Sequence, residues 1–130
     1  MNNVTEFAFV EQDRPVLEAE LRGGEKYPDM RGKVYVYAIP GGVYIQCDFE
    51  NMPKNSDFGF HVHEGLLCGQ TGEKILPLPD VFSDGTGHAS AQINIDRAEH
   101  SRIAGKPVVL HLKSGDEDIT VACGLLRRVL

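Results

Sequence analysis

Three histidines hold the clearest chemistry in this chain. His61 and His63 lie in the run Phe58-Gly59-Phe60-His61-Val62-His63-Glu64-Gly65, and His111 closes a second apolar run, Val108-Val109-Leu110-His111, about fifty residues later. Successive side chains of a strand alternate between faces, so His61 and His63 project from one face while Phe58, Phe60 and Val62 take the other. Neutral imidazole is a common ligand of copper and zinc, and a His-x-His pair on a strand can bring two ring nitrogens to one ion without ordering a loop. By itself such a pair is a weak signal. Its ordinary alternative is three surface histidines on neighbouring strands with no ion between them.

The elements that must position these residues read as strands. Short alternating runs separated by turn residues fill the chain, and no segment sustains a helical repeat. The pattern is all-β, with strands expected over Thr5 to Val10, Pro15 to Leu21, Gly32 to Ala38, Val43 to Glu50, Asp57 to Val62, His88 to Ile95, Pro107 to Leu112 and Ile119 to Leu126. Pro40-Gly41-Gly42 joins the clearest hairpin, since proline fixes one φ and the glycines permit the next two. Its second strand places Val43, Ile45, Cys47 and Phe49 on a core face and Tyr44, Gln46, Asp48 and Glu50 on a wet one. Ser83-Asp84-Gly85-Thr86-Gly87 reads as a further turn. The segment Asp96 to Gly105 reads as a polar connection with one helical turn. Strands of this kind close into a sandwich or barrel.

Composition narrows the class. A chain of 130 residues with 42% hydrophobic content supplies one compact core, so residues 1–130 are expected to form a single domain. The net charge of −6 is spread without a basic patch, and Arg127-Arg128 is too little to hold phosphates, which argues against a nucleic-acid partner. No run of 18 or more apolar residues is present to span a membrane, and Met-Asn-Asn-Val-Thr-Glu lacks the pattern of a secretory signal. The chain as given therefore reads as soluble and cytoplasmic, with a periplasmic or secreted origin left open. In that setting two of the cysteines, Cys68 and Cys123, would ordinarily be reduced thiols. Cys47 shares the parity of Ile45 and Phe49 and is expected to be a buried apolar thiol.

Gly59-Phe60-His61-Val62-His63-Glu64, then Leu78-Pro79-Asp80-Val81 before a glycine-containing turn, then Val108-Val109-Leu110-His111, then Ala122-Cys123-Gly124-Leu125-Leu126 form an ordered set. With the hairpin Gly32 to Pro53, this set resembles the copper/zinc superoxide dismutase family, in particular a divergent bacterial-type member with the zinc loop deleted. The resemblance implies an eight-stranded Greek-key β-barrel or sandwich with copper on the outside of its wall. It implies that His61, His63 and His111 are copper ligands and that Cys68 and Cys123 form an intrachain disulfide. Closing about 55 residues in that way would constrain the unfolded chain by roughly 4 kcal/mol.

Departures from the family pattern bear on function. Gly69 to Pro77 is short where the family carries the bridging histidine, two further zinc histidines and a zinc aspartate, and Pro77 stands at the aspartate's position. No zinc is expected. Leu112 to Val121 is shortened too, and Thr120 replaces the arginine that in the family draws in superoxide. One copper ion per chain on three imidazoles still forms a one-electron site, and superoxide dismutation would take its protons from water or a nearby acid, at a reduced rate.

The remaining residues have plainer readings. His88 has the parity of Ser90 and Gln92 and is expected to face solvent, His100 to be solvated in its connection, and Glu64 to accept hydrogen bonds. Asp116, Glu117 and Asp118 form an acidic turn that would repel superoxide if it lay over the copper. Two other functions fit the same residues: a non-catalytic copper-binding or delivery module, and a metal-free structural domain that kept the fold. A zinc hydrolase lacks an evident general base. Dimers are usual among relatives of this fold, and by that analogy the aromatic side of the Tyr35 and Tyr44 hairpin offers a contact face.

Overall fold

The computed structural model describes residues 14–114 and 117–129, with the backbone alone at 117 and 118; the strand expected over Thr5 to Val10 and residue Asp116 lie outside them. Among the described residues nine strands follow one another: β1 Leu17–Gly23, β2 Arg31–Ile39, β3 Gly42–Glu50, β4 Asp57–His63, β5 Lys74–Phe82, β6 Ala89–Asp96, β7 Pro107–Ser114, β8 Glu117–Leu125 and the two-residue β9 Arg127–Arg128. A single helical turn, α1 (His100–Ile103), sits between β6 and β7, within the connection where the sequence placed one. The path through the antiparallel sheet is β5-β4-β7-β8-β1-β2-β3-β6, and its two ends approach each other to form a nearly closed eight-stranded barrel. β9 adds to β1 off that path.

Alternation builds the core. Leu17, Ala19 and Leu21, then Val34 and Val36, then Val43, Ile45, Cys47 and Phe49 turn inward from the first three strands, and Phe58, Phe60 and Val62 do so from β4. Burying a side chain of this size contributes about 1.5–3 kcal/mol. Phe49 and Phe60 meet across the interior edge to face, with ring centroids 5.7 Å apart, the geometry that aromatic quadrupoles prefer. Two-residue closure at Pro40 and Gly41, with Gly41 at φ +80°, sets the β2–β3 register from Ile39 opposite Gly42 to Arg31 opposite Glu50. That register turns the four residues of β3 named above inward and Gln46, Asp48 and Glu50 outward.

Besides the two-residue β9, the strand the sequence reading lacks is β5. Pro77 and Pro79 both lie in it, and proline has no N–H to give a ladder, so the run scans as a loop. At the end of the sheet path β5 bonds, among the described residues, only to β4, in a register interrupted between Phe58 and Phe60, and a strand paired on one side tolerates missing donors. Lys74 to Pro77, four of the nine residues between Cys68 and Leu78, are thus strand, which seats Asp80 beside β4.

Candidate metal centre

β4 lies between β5 and β7 in the sheet, so its outward residues face neighbours on both sides. Asp57, Gly59, His61 and His63 form that outward row. On β7 the register sets Gly59 opposite His111 and His61 opposite Val109, which brings His111 into the same patch of wall. Against β8 the pairing skips Val121 between Leu110 and His111, a bulge that sets Thr120 directly opposite His111.

The three rings converge. Centroids of His61 and His63 are 5.9 Å apart, those of His61 and His111 5.3 Å, and those of His63 and His111 5.5 Å. One nitrogen from each lies within 4.8 Å of the other two, and no other cluster of three or more such ligand residues is found among the described residues. Metal–imidazole bonds of about 2.0–2.1 Å allow two donors on one ion to stand no more than about 4.2 Å apart. The Nε2 atoms of His63 and His111 already stand at 3.4 Å, so closing the set onto one ion takes only small ring movements.

Neighbouring groups orient the rings. His63 is buried, and its Nδ1 is 2.9 Å from the carbonyl oxygen of Gly72 in the loop after β4. A carbonyl only accepts, so Nδ1 carries the hydrogen and Nε2 presents its lone pair to the cluster. Thr120 Oγ1 lies 3.1 Å from His111 Nδ1, which likewise turns His111 Nε2 toward His63. His61 leans over Gly59: a Cβ at position 59 would come 3.1 Å from His61 Cε1. The glycine supplies the space that the ring occupies. These observations fit a metal ion held by three neutral imidazoles with the rest of its coordination open.

A disulfide closes the loop onto the wall. Cys68 and Cys123 are joined, with Cα atoms 5.8 Å apart, so the pairing implied by the resemblance is present. The same loop returns to β4 through backbone bonds from Glu64 to Glu73 and from Gly72 to Glu64, which hold the Gly72 carbonyl in place. Glu64 also pairs with Lys106, at 2.8 Å.

Beside His61 lies an ionic group that the sequence reading does not single out. Lys113 Nζ is 2.5 Å from Asp80 Oδ2, and this ammonium holds the Asp80 carboxyl below the usual carboxylate range. Burial, a hydrogen bond with Asp80 and repulsion from it push the Asp57 carboxyl the other way, and Asp57 Oδ1 is enclosed by protein. The signal was available on two of the three strands, since Asp57 shares the parity of His61 and Lys113 that of His111; Asp80 was hidden with β5. The lysine two residues beyond His111 is thus engaged by a carboxylate.

His88 is exposed, as its parity suggests, and 2.8 Å from Asp48 Oδ1 on β3, and His100 lies in α1. Cys47 is buried, and burial pushes its thiol up to about 12. Tyr35, Tyr37 and Tyr44 are half-buried, with Tyr37 and Tyr44 paired at 5.8 Å.

No protein-family model and no curated protein sequence matches the chain. Among solved structures it is similar to the Cu/Zn superoxide dismutase from Brucella abortus, with a TM-score of 0.67 at 15% identity over 85% of this chain and 98% of that one. The fold is that of Cu/Zn superoxide dismutase. At this identity the likeness concerns the barrel, and the chemistry rests on the residues described above.

Proposed function

We propose that the chain binds one copper ion through His61, His63 and His111 and disproportionates superoxide to dioxygen and hydrogen peroxide without zinc. The observation that carries this reading is the convergence of three imidazoles on the outer wall of a barrel with the superoxide dismutase fold. Copper held there would supply a one-electron couple, since imidazole supports both oxidation states. The protein's part is to hold the rings: Gly72 and Thr120 orient two of them, and Gly59 leaves room for the third.

Two features set the expected rate. Thr120 carries no charge where the resemblance expects an arginine, and Lys113 is engaged by Asp80, so neither of these positions offers a free positive charge to draw an anion inward. Turnover is therefore expected to be slower than that of an electrostatically steered enzyme and to depend weakly on salt. The test is to add copper to metal-free protein, record its electron paramagnetic resonance and follow superoxide consumption against His61→Ala. Nitrogen couplings from three imidazoles with activity lost in the variant support the reading. Equal rates would end the catalytic claim, and copper bound without superoxide consumption would leave a copper-binding module.

A further inference from the structure

We infer that Thr120 lets His111 move its ring hydrogen from Nε2 to Nδ1 when a metal ion binds, without leaving either ring nitrogen unsatisfied. The inference rests on the copper reading and adds a positioning residue to it. Its starting point is the 3.4 Å separation of His63 Nε2 and His111 Nε2. The Gly72 carbonyl fixes the hydrogen of His63 on Nδ1, so His63 Nε2 is an acceptor. Two lone pairs do not face each other at that distance without something positive between them. In the metal-free protein that something is the hydrogen of His111, carried on Nε2 and donated to His63.

His111 Nδ1 is then an acceptor, and Thr120 Oγ1 at 3.1 Å donates to it. When an ion takes the place of that hydrogen, both Nε2 atoms must offer lone pairs. The hydrogen leaves His111 Nε2 to solvent and one returns from solvent to Nδ1, so the neutral imidazole changes tautomer with no net loss of a proton. Thr120 now has to accept. A hydroxyl does both by rotating about its Cβ–Oγ1 bond, whereas a carbonyl such as that of Gly72 only accepts. The two rings are therefore held differently: His63 in one tautomer permanently, His111 in whichever one the ion requires. Thr120 is also exposed, so its rotation meets no packing.

The experiment uses the full chain labelled with ¹⁵N-histidine, at neutral pH without oxygen, titrated with Cu(I), which is diamagnetic. His111 is expected to carry its hydrogen on Nε2 before copper and on Nδ1 after it, while His63 keeps Nδ1–H throughout. A metal-free His111 protonated on Nδ1, or on both nitrogens, overturns the inference. Thr120→Val is expected to weaken Cu(I) binding about 10-fold or more, the scale of lost partners around metal ligands, and Thr120→Ser to stay within about threefold of the parent. Unchanged affinity in a folded Thr120→Val overturns the inference alone; should that variant not fold, the spectra of the parent and of Thr120→Ser decide. If Cu(I) leaves the signals of His61, His63 and His111 unmoved, the copper site falls and this inference with it.

Discussion

Gly59→Ala is predicted to make the protein more stable and to weaken its hold on copper. Gly59 lies mid-strand in β4 with ordinary extended backbone, so alanine can adopt its conformation, and replacing glycine there gains about 0.5–1 kcal/mol. The new Cβ would stand 3.1 Å from His61 Cε1, where ordinary contact begins near 3.4 Å, so the ring has to retreat by 0.3 Å or more. Metal–ligand distances tolerate only about ±0.2 Å. The displacement exceeds that margin, and a loss of about 1.4 kcal/mol, or tenfold in affinity, is the expected result. Urea denaturation of the metal-free protein gives the first quantity and competition with a chromophoric copper chelator gives the second. Copper affinity within twofold of the parent, with the fold intact, would refute the claim that Gly59 exists to seat His61.

Phe60→Ala, which empties the side chain packed edge to face on Phe49, should cost about 3–5 kcal/mol in urea unfolding. Opening the Cys68–Cys123 bridge by Cys68→Ser with Cys123→Ser releases a closure of 55 residues and should cost about 4 kcal/mol, measured the same way. Asp57 has its folded pKa raised, so its contribution is favourable while protonated and is lost as pH rises through the raised value; Asp57→Asn, which keeps a donor toward Asp80, should therefore raise the urea midpoint at neutral pH and change it little in acid. Cys47, buried with its thiol pushed up to about 12, should resist a thiol reagent in the native protein and react once urea unfolds it.

Parity accounts for what the sequence discloses of this site. A period of two assigns His61 and His63 to one face of β4 and Phe58, Phe60 and Val62 to the other, and the structure has them so. The same rule finds the core face of β3. It fails for β5, because Pro77 and Pro79 erase the strand signature and only the barrel's open edge makes them tolerable there. It also fails for what surrounds the ligands. Gly72 contributes a backbone carbonyl, which no residue type advertises, and Thr120 stands opposite His111 only because a bulge at Val121 shifts the register. Nothing in the residue type of Thr120 announces its contact with His111.

The arrangement divides rigidity from adjustment along the chain. His61 and His63 stand on a strand whose other face carries three fully buried side chains, so moving either backbone would break the core. His63 is further held by a loop that the Cys68–Cys123 bridge pins to β8. His111 is different: its strand is just as firmly packed through Val108 and Leu110, yet its ring is held by a rotatable hydroxyl on an exposed residue. Any adjustment needed to bring three nitrogens from within 4.8 Å to bonding distance therefore falls on side-chain rotation, most readily at His111. A wall of β-barrel can fix two ligands and leave the third to follow the ion, which permits the site to close on a metal without moving a strand.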